Sequence, residues 1–174
     1  MKFILSLIKI SIISFILTIN AYSNEKIVYV DMNSLINSSK AGTSINNQMK
    51  KILDKNNSEY QSLEKKLLQE EKDLLNKKNV LDPNKYKNEV NIFKNKINKF
   101  KIERNKEIED IQKRNVKAKN ELVNIVTEIL AKYSAENEIK LVLNKESIIL
   151  GIKTIDITNE ILTLLDKKVK KIKF

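Results

Sequence analysis

The fold is decided by residues 86–133, which read YKNEVNIFKNKINKFKIERNKEIEDIQKRNVKAKNELVNIVTEILAKY. Apolar side chains recur there in steps of four and three, the spacing that places them in one stripe along an α-helix. The stripe contains Tyr86, Val90, Phe93, Ile97, Phe100, Ile108, Ile111, Ala118, Leu122, Ile125, Ile129 and Tyr133. Because no glycine or proline interrupts it, we predict one helix of about 70 Å. Such a helix is too long for one compact core and needs a partner.

The preceding stretch supplies that partner. Leu53, Tyr60, Leu67 and Leu74 recur every seven residues, which predicts a second amphipathic helix. The two helices are separated by a short connection that ends in Asp82-Pro83, and the proline is the only one in the chain. Aspartate is a favourable N-cap residue and proline suits the first helical position. A short connection between two long helices predicts an antiparallel hairpin.

The two ends of the chain predict a small β body. Residues 26–32 form a short run rich in β-branched side chains and are predicted as a strand. Residues 139–143 and 148–152 are predicted as a β-hairpin, with Gly151 as a bulge or close-approach site. A final helix is predicted to follow, with Thr158 as its N-cap. Gly42 is predicted to mark the bend into the first long helix.

The predicted fold class is therefore α+β. A β body formed by residues 24–44 and 138–174 carries a projecting helical arm formed by residues 45–137. Three strands and one helix make a small core with exposed strand edges, which predicts an oligomer. The predicted oligomer body includes Ile27, Val28, Val30, Leu141, Leu143 and Ile149.

Residues 1–23 are predicted to be a signal peptide. Lys2 precedes a mostly apolar run, and the small residues Ala21 and Ser23 suit cleavage after Ser23. Lys9 and several hydroxyl residues within the run disfavour a permanent span. The alternative is an uncleaved anchor on the outer face of the inner membrane. Both interpretations export the body of the protein to the periplasm.

The exported part is basic. Without residues 1–23 the chain has 31 basic and 22 acidic residues, a net charge of +9. Near the predicted arm tip, Lys77, Lys78, Lys85 and Lys87 face only one acid, Asp82. This tip is a candidate contact for an anionic surface such as lipopolysaccharide or a membrane, although scattered lysines can also serve solubility alone. Nucleic acid is disfavoured by export, by the presence of only two arginines and by the lack of a stacking-aromatic motif.

Histidine and cysteine are both absent from the sequence. The commonest metal ligand and general base is therefore missing, and no disulfide can form. We find no catalytic constellation, so the sequence predicts a protein that is not an enzyme and uses no metal or cofactor.

The order of these elements resembles the Skp/OmpH family of periplasmic chaperones. The resemblance rests on KIVYVDMNSL at residues 26–35, LVLNK at 141–145, ILG at 149–151 and DIT at 156–158. It implies a homotrimer whose three arms enclose a cavity that holds unfolded outer-membrane proteins without ATP. Apolar residues that lie off the helical seams are candidate client contacts: Leu68, Leu75, Leu81 and Ile102. The polar seam residues Asn56, Arg104 and Asn115 are expected either to let the arm flex or to fix its register. An exported coiled-coil adaptor of the cell envelope is the alternative function.

Overall fold

A computed structural model describes residues 25–174. The elements are β1 (Lys26–Val30), α1 (Met32–Ser38), α2 (Lys40–Asn76), α3 (Pro83–Glu136), β2 (Ile139–Asn144) and α4 (Thr158–Lys168). The predicted α+β class is confirmed. The predicted signal peptide lies outside the described residues. Among residues 25–174, no helix is both long and apolar enough to cross a membrane.

Helices α2 and α3 form the predicted antiparallel hairpin. They contain 37 and 54 residues and are joined by a turn that includes a 3₁₀ segment, Lys77–Asn79. The N-terminus of α3 is capped as predicted: the Asp82 carboxylate accepts hydrogen bonds from the backbone N–H groups of Asn84 and Lys85, and Pro83 occupies the first turn. At 1.5 Å per residue, α3 extends for about 80 Å.

Packing along the arm changes from its base to its tip. In α3 the fully buried residues begin at Ile111, and none precedes it. In α2 none follows Tyr60. Tyr60 packs edge-on against Phe100, with ring centroids 5.5 Å apart. Beyond this aromatic pair the seam is only half-buried, because two helices alone cannot surround their apolar stripes.

The sheet has two strands. β1 and β2 pair in parallel, with Ile27 opposite Leu141 and Tyr29 opposite Leu143. Parallel pairing requires a crossover connection, and here the entire arm is that connection. Val28, Val30 and Val142 face the core, where they join buried residues from α1, both long helices, α4 and the C-terminal tail. These residues are Leu35, Ile45, Ala118, Leu122, Val126, Ile129, Ile161, Leu165 and Ile172.

The predicted β-hairpin is wrong in its second strand. After β2 the chain forms a 3₁₀ turn at Lys145–Ser147, and residues 148–152 join no sheet within the described part of the chain. Ile148 and Ile152 keep extended backbone angles. The segment passes over the ring of Tyr29, where a Cβ on Gly151 would lie 2.9 Å from Cε1. Gly151 is thus a close-approach site, as predicted.

The predicted cap of the last helix is also corrected. Thr158 is the first residue of α4, and its backbone N–H donates to the carboxylate of Asp156 at 2.9 Å. The Thr158 hydroxyl instead accepts a hydrogen bond from the backbone N–H of Asp31. Thr158 therefore ties α4 to the end of β1. Gly42 lies inside the first turn of α2 rather than at a bend before it.

Candidate functional site

The described residues contain no cluster of three carboxylate, histidine or cysteine side chains that could hold a metal ion. The shifted pKa values belong to local pairs. Burial raises the pKa of Tyr60, whose hydroxyl donates to Glu107 at 3.0 Å. Hydrogen bonds from the Ser34 backbone and from Lys145 lower the pKa of Asp31. Each pair has an evident structural role, and the candidate site considered below is the surface of the arm and of the body.

The four predicted client contacts lie on different parts of the arm. Leu68 and Leu75 are more than half exposed and share one side of α2, since they are seven residues apart. Leu81 is half-buried in the turn. Ile102 is 67% exposed and lies on the face of α3 that points away from α2. The structure thus groups Leu68 with Leu75 and does not bring Ile102 to them.

A groove of 370 Å³ lies on the other side of the distal arm. Leu74 and Phe93 form its floor, and Ile92 lies at its rim, 59% exposed. Two ion pairs join the helices there: Lys77 to Glu89 at 3.1 Å, and Lys96 to Glu70. This side of the arm is therefore bridged by charged side chains.

The polar seam residues differ in their surroundings. The Arg104 guanidinium stacks over the Tyr60 ring, 5.9 Å from its centroid. Asn56 is 4% exposed, and its Nδ2 group has no hydrogen-bond partner among the described residues. The Oδ1 atom of Asn115 is likewise buried without a partner there. The two asparagines weaken the seam, because a buried polar group without a partner costs about 1–3 kcal/mol.

The four tip lysines are not equivalent. Lys77 is engaged with Glu89 across the hairpin. Lys78, Lys85 and Lys87 form no ion pair with any residue in the described range. The tip therefore offers three uncompensated positive charges to an anionic surface.

The residues predicted for the oligomer body fall into two groups. Val28 and Val30 are buried inside the subunit. Ile27, Leu141 and Leu143 lie together on the outer face of the sheet and are each more than a third exposed. Ile149 and Leu150, in the segment without a strand partner, are almost fully exposed. The body therefore presents a large apolar surface that the described chain leaves uncovered.

Comparison with known proteins identifies the architecture. The family model described as "Outer membrane protein (OmpH-like)" matches residues 26–165. The chain belongs to the OmpH-like family. No curated protein matches it significantly in sequence.

A solved OmpH-like structure from Caulobacter crescentus, of a protein with the proposed role of outer membrane chaperone, has the same fold. It superposes with a TM-score of 0.81 at 18% sequence identity, and the match covers 87% of this chain and 90% of that one. At this identity the similarity establishes the fold alone. The OmpH-like hairpin arm is thus retained although most of its residues differ.

The contacts of the C-terminal tail of this OmpH-like chain were not predicted from the sequence. After α4 ends, Ile172 is buried against the body, and its carbonyl accepts a hydrogen bond from Gln48 of α2 at 3.0 Å. The Phe174 ring lies under the Arg114 guanidinium of α3, 5.7 Å away. The apolar residues Val169, Ile172 and Phe174 among the lysines of the tail were the available signal. The tail braces the base of both long helices.

Proposed function

We propose that this protein is an ATP-independent periplasmic holdase, which binds unfolded outer-membrane proteins between helical arms and prevents their aggregation. The observation that carries the proposal is the distal arm, where the seam is only half-buried and the apolar side chains remain accessible. Family membership and the chaperone role proposed for the Caulobacter crescentus protein support it.

The physical basis is weak, repeated contact. Leu68, Leu75 and Ile102 each offer an exposed apolar side chain on a basic arm. Contacts of this kind hold an unfolded chain through avidity when several arms act together, without imposing a structure on it. The excess of lysine adds long-range attraction for clients with a net negative charge.

The proposal includes a homotrimer. The outer sheet face, with Ile27, Leu141 and Leu143, would be covered by neighbouring subunits. The extended segment that carries Ile149 and Leu150 would add to this contact. Three body surfaces joined in this way would place three arms around one cavity. Support comes from the amount of apolar surface that a single chain leaves exposed, which is unusual for a stable monomer.

The test is the breadth of client protection. The mature protein is mixed with several unrelated outer-membrane barrel proteins diluted from urea, and light scattering records aggregation in the absence of ATP. A holdase suppresses aggregation of all of them at near-stoichiometric amounts. An adaptor with one fixed partner leaves them unprotected, which would replace this proposal with the adaptor function. An unfolded soluble protein of similar length measures preference for barrel clients.

A further inference from the structure

The two sides of the distal arm carry different side chains. Each side can be defined by whether its residues come just before or just after a seam residue in the sequence. Residues that immediately precede a seam residue, such as Asp73, Glu89, Ile92 and Lys96, line the groove described above. Residues that immediately follow a seam residue must lie on the opposite side, because each residue advances by about 100° around the helix. We call the grooved side the bridged flank and the opposite side the open flank.

The open flank includes five side chains that form two heptad rows, and Glu64 and Glu71 also lie on its α2 side. Leu68 and Leu75 follow the seam residues Leu67 and Leu74 of α2. Lys87, Lys94 and Lys101 follow the seam residues Tyr86, Phe93 and Phe100 of α3. Residues seven apart lie in line along a helix. A row of leucines on one helix therefore runs beside a row of lysines on the other.

The bridged flank is already occupied by contacts within the chain. The Lys77–Glu89 and Lys96–Glu70 pairs cross it near the tip. Near the base, the C-terminal tail contacts Gln48 and Arg114. Gln48 precedes Met49, which lies on the seam side of α2, and Arg114 precedes the seam residue Asn115, so both belong to the same flank.

The open flank lacks such contacts. Leu68 and Leu75 are 53% and 59% exposed. Its three lysines form no ion pair with a described residue, and neither do Glu64 and Glu71 on the α2 side. The side that belongs to α3 carries only positive charge. A partner that suits both rows has apolar side chains to cover the leucines and negative charge to pair with the lysines.

We infer that the open flank is the surface along which the arm holds its client, and that the occupant is an unfolded, net-anionic barrel-protein segment. This inference rests on the proposed function and deepens it. Transmembrane barrel strands alternate apolar and polar residues, so one extended segment supplies both kinds of side chain. The leucine row takes the apolar ones, and the lysine row attracts the acidic ones.

The test uses the absence of native cysteine. Single substitutions Leu75→Cys and Ile92→Cys place one photo-crosslinker on the open or the bridged flank of the full mature protein. The two positions are matched, because both are 59% exposed and both lie next to the distal seam. Each labelled protein is irradiated with an unfolded barrel protein. We expect client adducts to form about tenfold more efficiently from position 75.

Each other outcome overturns the inference. Equal or greater crosslinking from position 92 would move the client to the bridged flank. Adducts between copies of this chain at position 75 would make the open flank a subunit interface. If both labelled proteins still suppress aggregation while neither crosslinks the client, the holdase function stands and the open flank is rejected. Failure of the unlabelled protein to suppress aggregation would instead reject the proposed function itself.

A charge comparison tests the lysine row separately. The triple variant Lys87→Gln, Lys94→Gln, Lys101→Gln is compared with Lys65→Gln, Lys66→Gln, Lys72→Gln on α2, which removes the same charge from residues directed away from this row. We expect only the first to weaken client binding, by about tenfold at low salt. If both triple variants weaken client binding equally, the effect depends on net charge and not on the position of the lysine row. If phosphatidylglycerol vesicles displace the client from the wild type but not from the variants, the lysine row binds a lipid surface instead of the client.

Discussion

Gly42, in the first turn of α2, packs directly against the backbone of α1. A Cβ built at this position would lie 1.8 Å from the carbonyl oxygen of Ile36, a backbone atom that cannot move independently. We expect Gly42→Ala to lower the free energy of unfolding by about 2–3 kcal/mol. The matched control is Gly151→Ala, whose Cβ meets a tyrosine ring that can rotate away. Chemical denaturation measures both, and equal losses would show that α1 adjusts freely.

Asp31 joins three parts of the body. One carboxylate oxygen accepts a hydrogen bond from the Ser34 N–H at 2.8 Å, and the other pairs with Lys145 at 3.1 Å. These contacts lower the pKa of Asp31 in the folded protein. A lowered carboxyl pKa contributes stability above the unfolded value, about pH 4, and this contribution is lost as the pH falls through the folded pKa.

We therefore expect Asp31→Ala to cost about 1 kcal/mol at neutral pH and progressively less below pH 4. Urea denaturation from pH 7 to pH 3 measures the difference between variant and wild type. Asp31→Asn keeps an acceptor for Ser34 and removes the titrating charge, so its loss should be smaller. A cost for Asp31→Ala that does not change with pH would contradict the role of the carboxylate.

At the scale of elements, the seam between the two arm helices contains two buried polar side chains that destabilise it and that can be replaced by mutation. Leucine at positions 56 and 115 would eliminate the buried Nδ2 and Oδ1 groups that lack partners. We expect the double variant Asn56→Leu, Asn115→Leu to raise the free energy of unfolding by about 1–2 kcal/mol. Asn91→Leu, at an exposed position of α3, should change it by less than about 0.5 kcal/mol. A double variant no more stable than wild type would mean that the asparagines are satisfied in solution.

The double variant Asn56→Leu, Asn115→Leu also tests whether the weakened seam helps the protein to bind its clients. If the polar seam lets the arms adjust to clients of different size, the stabilised double variant should protect small barrel proteins and lose capacity for large ones. Aggregation assays with two barrel sizes measure this. Unchanged capacity for both sizes would favour the register-fixing role of the asparagines.

The C-terminal tail makes a prediction at the same scale. Ile172 is 3% exposed, and its side chain packs with the core. Truncation of a buried isoleucine to alanine typically costs about 2–4 kcal/mol, so we expect Ile172→Ala to lower the melting temperature clearly. Ile92→Ala removes an exposed side chain of the same size and should have little effect. Equal melting temperatures would mean that the tail is dispensable.

The elements also show what the sequence could predict. The hairpin arm and its Asp82 cap were predictable, because periodicity and capping are local signals. The second strand of the β-hairpin was not, because residues 148–152 have the composition of a strand but find no partner in the described chain. The contacts of Ile172 and Phe174 join positions far apart in sequence, and no local pattern specifies them. Leu68 and Leu75 could be placed on one face from spacing alone, whereas the ion pairs that distinguish the two flanks required the structure.

For the whole molecule, the different roles of the body and the arm follow from where side chains are buried. The body and the part of the arm next to it hold all the buried side chains of the described chain. The body also exposes the outer sheet face, and the distal arm buries none. A body stabilised by assembly should unfold at a temperature that rises with protein concentration.

Leu143→Glu, placed on the outer sheet face, should reduce the assembled mass. Lys140→Gln, on the same strand, changes the net charge by the same one unit and is the control for charge. Identical masses for the two variants would argue against this face as the subunit contact.

The most direct test of the proposed holdase is the molar mass of residues 24–174 in solution. Light scattering measures it for the protein alone and after addition of an outer-membrane barrel protein diluted from urea. We expect the protein alone to have the mass of three chains. With the barrel protein, we expect a soluble complex that gains the mass of one client. A monomer or dimer that leaves the client to aggregate would contradict the proposed holdase.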